Sequence, residues 1–202
     1  YLLPEKHKNS FHEGELPIHK TIAYTDYALK HFFETAKKSP WFKNTIFLFT
    51  SDHSSEAFAP FYSTVIGRNA IPIFIYDASG ELKGEDVNYF QHTDITPTLL
   101  SLIGIKTPLF SFGNNTFSEL EKHLVGFSGT SYFIAKNKFV LFFGGKNSTG
   151  LFELTTDSLM EKNLIDSTNF QPIRMNMENL LKAIIQQYNQ RLSRNKTSLT
   201  QH

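Results

Sequence analysis

The sequence predicts an α/β core followed by a small antiparallel meander and a closing helix, and three observations carry that prediction. Residues 45 to 50, Thr-Ile-Phe-Leu-Phe-Thr, are an uncharged run of strand formers that stops abruptly on Ser51-Asp52-His53. Before it, apolar residues recur at spacings of three and four, the period of a helix packing one face on a sheet. From residue 131 onward the texture changes to short alternating runs separated by Gly, Asn and Lys, the pattern of hairpins.

Residues 1 to 19 are polar, hold Pro4, Gly14 and Pro17, and read as an irregular lead-in carrying His7, His12 and His19, which are expected to be solvated. Ile22, Ala28, Leu29, Phe32, Phe33 and Ala36 mark an amphipathic helix from Lys20 to about Lys38, which Pro40 stops. The run at 45 to 50 suits a strand buried on both faces of a parallel sheet. AIPIFIY, residues 70 to 76, repeats that texture and closes on the turn formers Asp77-Ala78-Ser79-Gly80, as a second central strand would. His92-Thr93-Asp94 opens a short helix through Ile95, Leu99, Leu100, Leu102 and Ile103, with Pro97 assigned to its first turn and Gly104 to its stop. Residues 106 to 126 read as a loop-rich crossing. SYFIA, KFVLFF and GLFELT form the meander, and Met177, Leu180, Leu181, Ile184 and Tyr188 are the buried stripe of a helix from about Asn176 to Arg191. Residues 1–126 are thus assigned to the α/β core, 127–192 to the meander and terminal helix of the same domain, and 193–202 to a flexible tail.

Composition narrows the function classes. Twenty Lys and Arg against nineteen Asp and Glu leave a net charge of +1, which argues against a nucleic-acid surface. With no cysteine among 202 residues, disulfides, thiolate zinc sites and a cysteine nucleophile are excluded. No stretch reaches the ~20 apolar residues of a membrane helix. The opening YLLPEKHK lacks both a Met and a signal-peptide pattern, so the chain is expected to be a piece of a longer protein whose targeting or membrane segment lies upstream.

Asp52 and His53 stand where ligands gather in open α/β sheets, just beyond the carboxyl end of a strand. A carboxylate beside an imidazole can hold a hard or borderline divalent cation, provided the strand has already given way to a loop; Ser51, Ser54 and Ser55 supply that loop character. The plainer reading is that Asp52 caps a following helix while His53 bonds to the backbone. Glu56 is a candidate to orient His53 or a surface charge at a helix start, and Arg68 a candidate to hold an anionic oxygen or an exposed ion pair. His92 is a second candidate at a helix start, against the reading that Thr93 or Asp94 merely caps that helix.

Taken in order, a helix carrying Tyr24-Thr25-Asp26, then NTIFLFTSDH, AIPIFIYD and HTDITPTLLSLIGI, resembles the C-terminal half of the catalytic domain of the alkaline-phosphatase-like superfamily. Within it the likeness is to the sulfatase group that includes lipoteichoic acid synthases and phosphoglycerol or phosphoethanolamine transferases. LFELTTDSLMEKNLI is similar to the family's C-terminal strand and the acidic, Asn-Leu turn after it. The resemblance spans roughly residues 1 to 165. It implies an alkaline-phosphatase-like sheet flanked by helices, and a two-step transfer at phosphorus or sulfur. There a Thr, Ser or modified Cys attacks the ester and one divalent ion (zinc, manganese, magnesium or calcium) polarises the anion.

The family's Asp-His pair, carried onto Asp52 and His53, supplies two metal ligands. The nucleophile and the remaining acidic ligand normally come from the N-terminal half, and no Cys/Ser-x-Pro-x-Arg signature occurs here. YLLPEK is similar to the stretch just after a family Ser-x-His-x-Pro-Tyr phrase, so the substrate-binding His and the nucleophile are expected before Tyr1. The chain alone is therefore expected to hold metal weakly and to be inactive. Its bacterial parent is expected to be membrane-anchored on the extracytoplasmic face of the inner membrane and to act on phosphate or sulfate esters of an envelope lipid or glycan. The alternative is a non-catalytic binding or scaffolding domain that keeps the fold.

Overall fold

The structure, a computed structural model, describes residues 2–55 and 57–198, and the chain forms two compact units, 1–85 and 86–202. In the first, helix α1 spans Pro17–Ala36, beginning before the point the apolar period marks because Pro17 is pre-set for a first helical position. The Leu16 N–H donates to His19 Nδ1 at 3.4 Å, the half of a capping box in which the N3 side chain reaches back to the N-cap amide. A Cβ on Gly14 would lie 2.2 Å from that same nitrogen, so a larger residue there would displace the His19 side chain and its bond to Leu16. His7 packs on Tyr24 and Tyr27 with ring centroids 5.4 and 5.3 Å apart. Neither His7 nor His19 is therefore the simply solvated loop histidine expected of this lead-in.

Strands β1 (Ile46–Thr50) and β2 (Ile73–Asp77) follow, and they pair antiparallel, Ile46 opposite Asp77 and Thr50 opposite Ile73. This corrects the parallel reading. The segment joining them holds, among the described residues, two 3-10 turns, Pro60–Ser63 and Gly67–Asn69, and no crossover helix of the kind a parallel pair needs. Burial on both faces is corrected too, since Phe74 is 54% exposed and Tyr76 39%. One face carries an aromatic layer in which Phe33 of α1 meets Phe47, Phe49 and Tyr76 at 5.2, 5.9 and 5.3 Å.

The second unit opens with α2, His92–Leu102. Pro97 lies inside this helix, past the first turn to which the sequence assigned it. Proline cannot donate to the Thr93 carbonyl four residues back; the Ser111 hydroxyl lies 3.4 Å from that oxygen and donates to it instead. A Cβ on Gly113 would come within 2.0 Å of the same carbonyl, so this close approach of loop to helix needs glycine. Gly104 adopts φ 74° and ends α2 as expected.

The meander has four strands, not three: β3 (His123–Phe127), β4 (Tyr132–Lys136), β5 (Phe139–Phe143) and β6 (Ser148–Glu153), antiparallel in that order. β3 falls in the stretch read as a loop and runs across position 126. Its Gly126 weakens the strand signal but lets the Phe133 ring pass, since a Cβ would sit 2.3 Å from that ring. Helix α3 (Gln171–Ser193) lays Met177 and Leu181 on Ile134, Leu141 and Leu151, which makes the central core. Asn163 staples the connection after β6, accepting from the Leu151 and Ile165 amides at 3.0 and 3.1 Å and donating to the Thr149 carbonyl at 3.1 Å. The last residues of the expected tail, 199–202, lie outside the described residues. No helix among the described residues is long and apolar enough to cross a membrane.

Candidate metal centre

Strand β1 ends at Thr50, and the residues after it are irregular. The alternation that would send neighbouring side chains to opposite faces has therefore lapsed before Asp52 and His53. Both side chains stand in solvent, 89% and 78% exposed, so neither serves a core. Asp52 Oδ1 accepts the His53 N–H at 2.9 Å, and among the described residues no helix begins beside it for it to cap. His53 Nδ1 is 2.7 Å from the Ser54 carbonyl oxygen. That partner accepts an N–H, which puts the proton on Nδ1 and leaves the Nε2 lone pair free, the arrangement typical of metal-binding imidazoles.

Nε2 and Asp52 Oδ2 are 3.6 Å apart. Two donors of one tetrahedral ion, at bonds of about 2.1 Å, stand roughly 3.4 Å apart. The pair thus fits one divalent ion without rearrangement. It fits as part of a ligand set, because among the described residues no group of three His, Asp or Glu converges on one point.

An open cleft of about 720 Å³ lies against His53 and is lined also by Leu16, Ser54, Ser55, Tyr62 and Arg68. Arg68 reaches it from a tightly specified turn. Its N–H donates to the Thr64 carbonyl at 3.0 Å, and the Gly67 N–H donates to Thr64 Oγ1 at 3.0 Å. A Cβ at Gly67 would press to 2.0 Å from the Phe61 carbonyl oxygen. The Ser54 hydroxyl donates to the Arg68 carbonyl and so ties the His53 loop to this turn.

Glu56 lies outside the described residues. His92 belongs to the second unit, where it is the exposed first residue of α2. The residue beside it that the fold buries is Asp94, whose carboxylate accepts the Gln91 N–H at 2.9 Å and the Asn114 N–H at 2.6 Å. This is the capping role weighed for Asp94, extended by a hold on the loop at 111–116. His123 on β3 went unremarked in the sequence because its segment read as a loop; burial pushes its imidazole below the usual histidine range, against an opposing hydrogen bond with the Glu121 backbone.

The Sulfatase family model matches residues 18–105, a span that holds β1, β2, α2 and the Asp52–His53 pair. An arylsulfatase of Clostridium perfringens is 26% identical over 188 residues, covering 81% of this chain and 38% of that protein. A lipoteichoic acid synthase of Staphylococcus aureus is 26% identical over 136 residues, covering 60% of this chain and 21% of that protein. In structure, a protein of the alkaline phosphatase superfamily from Vibrio parahaemolyticus is similar with a TM-score of 0.75 at 22% identity, covering 99% of this chain and 48% of that one. The chain thus spans less than half the length of each of these proteins. Residues 18–105 match the Sulfatase family model, and the chain is similar in fold to a protein of the alkaline phosphatase superfamily.

Proposed function

We propose that this chain contributes Asp52 and His53 to a divalent metal site of a larger enzyme that transfers or hydrolyses phosphate or sulfate esters. The observation that carries the reading is the 3.6 Å separation of His53 Nε2 and Asp52 Oδ2 at a strand end inside the segment that the Sulfatase family model matches. A zinc, manganese, magnesium or calcium ion at such a pair supplies charge stabilisation to the oxygens of the reacting ester. The Ser54 carbonyl keeps His53 in the tautomer that presents Nε2, and the aspartate oxygen beside it adds the negative charge that raises cation affinity. Arg68 and His92 are candidates for the substrate side, and Glu56 for support of His53. The nucleophile, a Thr, Ser or modified Cys, and at least one acidic ligand come from the rest of the parent protein, so the chain by itself is inactive.

The lipoteichoic acid synthase relationship supports an envelope lipid or glycan ester as substrate, and with it a membrane-anchored parent acting on the extracytoplasmic face. The arylsulfatase relationship favours plain hydrolysis of a sulfate ester. Product analysis separates the two, because transfer leaves the phosphoryl or sulfuryl group on an acceptor and hydrolysis leaves it free. The test of the site itself is metal analysis and turnover of the full-length protein with Asp52→Asn and His53→Ala. Both variants are expected to lose bound metal and activity together. Full metal content with undiminished turnover in both would overturn the assignment, whereas a wild-type protein that neither binds metal nor turns over such esters would favour the non-catalytic domain.

A further inference from the structure

The open cleft beside His53, at about 720 Å³, is much larger than the tetrahedral group of a sulfate or phosphate and leaves room beside it for a further part of a substrate. Its lining is divided. Leu16, Ala57 and the ring of Tyr62 offer apolar surface, while Ser54, Ser55 and Ser63 offer hydroxyls suited to an alcohol. Arg68 is the lining side chain of fixed positive charge. Among the described residues its guanidinium takes part in no hydrogen bond or ion pair; the bonds of Arg68 run through its backbone N–H and carbonyl. Meanwhile its turn is held by Thr64, by the closeness of Gly67 to Phe61 and by the Ser54 hydroxyl. A backbone held this firmly fixes where the Arg68 side chain starts, and its uncommitted guanidinium is a bidentate donor able to reach an anion in the cleft.

Resting on the metal-site reading above, we propose that this cleft receives the alcohol part of the ester and that Arg68 pairs with a second negative charge carried on that alcohol. The substrate class is then a sugar or polyol bearing two anionic groups, one reacting and one recognised. Ser54 is the positioning residue: its carbonyl orients His53 and its hydroxyl fixes Arg68, so a single residue sets the distance between the reacting and the recognised anion.

The test compares matched probes on the full-length protein: glucosamine carrying one sulfate against two, and glycerol carrying one phosphate against two. Preference is read as a ratio of kcat/KM where the probe is turned over and of Kd where it is only bound. Wild type is expected to favour the doubly charged member of at least one pair by roughly tenfold or more, the scale of a charge-assisted bidentate contact. The pair that shows the preference identifies the alcohol as sugar or glycerol. In Arg68→Ala the ratio falls to about one, and in Arg68→Lys it falls partway. Ser54→Ala lowers it as well but adds nothing to Arg68→Ala in the double variant. No preference in wild type for either pair overturns the proposal, and so does an Arg68→Ala variant that weakens both members equally, which would place Arg68 on the reacting group. Metal content measured on the same samples keeps the two claims apart: metal present in wild type and retained in Arg68→Ala leaves the metal-site reading standing whichever way the ratio goes, and metal absent from wild type overturns that reading.

Discussion

The two units of this chain bury their aromatic and aliphatic residues to different depths. In the second, Ile134, Leu141, Leu151 and Leu181 are wholly inaccessible, sealed between a four-stranded sheet and α3. In the first, a two-stranded ribbon carries Phe74 and Tyr76 in partial contact with water, and the buried apolar residues among those described, such as Ala36, Phe42 and Ile66, keep a few per cent of exposure. Two strands alone are marginal in water, so the ribbon depends on the aromatic layer it shares with α1. The candidate metal pair projects from this more lightly buried unit. Chemistry needs side chains at a solvent-facing strand end, and stability needs a closed core, and here the two demands fall on different elements.

That contrast can be broken most sharply at the metal pair. In the full-length protein, Asp52→Asn or His53→Ala is expected to lower turnover by about a thousandfold or more, as for removal of a group acting directly on the transition state. With the metal removed from all samples, neither should change the unfolding free energy by more than ~0.5 kcal/mol, because both side chains are solvated. The core responds the other way. Leu141→Ala or Leu181→Ala should cost about 3–5 kcal/mol in urea unfolding, whereas Phe74→Ala, losing a half-exposed ring, should cost no more than about 2 kcal/mol. Equal losses at the three positions would show that the units are buried alike in solution.

Two smaller effects sharpen the comparison. Asp94→Ala strips two amides, those of Gln91 and Asn114, of their acceptor and should cost about 1–3 kcal/mol, with faster hydrogen exchange at Asn114 as the local signature. Smallest is a pH effect in the first unit. Hydrogen bonds from the Ser79 hydroxyl and amide, then from the Leu82 and Glu81 amides, hold the Asp77 carboxyl down at about 2. A folded value below the unfolded one means that its stabilising contribution is complete above about pH 4 and is lost as the pH falls towards 2. Carboxyl NMR titration should find that value in wild type and a rise towards the ordinary range in Ser79→Ala.

Most elements could be read from the chain because their signals are local. The apolar period of α1, the run at 46–50, the Gly104 stop and the stripe of Met177 and Leu181 each depend on neighbours within a few residues. β3 escaped because Gly126 breaks its pattern, and the reason for that glycine is a phenylalanine ring on the next strand. Pro97 was assigned to a first turn because nothing in the sequence says that Ser111 supplies a donor to Thr93 in its place. The antiparallel pairing of β1 and β2 was misjudged for a similar reason: an uncharged run reports that a strand is apolar, and only its partner reports the direction.

The sequence by itself determined that Asp52 and His53 stand at a strand's carboxyl end and that the chain is similar to sulfatase-family enzymes, because strand run, polar stop and motif order are all written locally. Tertiary structure decided that the two side chains lie close enough to share one ion, since this turns on a 3.6 Å separation and on which imidazole nitrogen faces the Ser54 carbonyl. It also decided that Arg68 shares a cleft with His53, through a Ser54 hydroxyl that closes a loop across fourteen positions of the chain. Such long-range juxtapositions have no local signature, because the free energy that creates them comes from packing and hydrogen bonding between segments the sequence keeps apart.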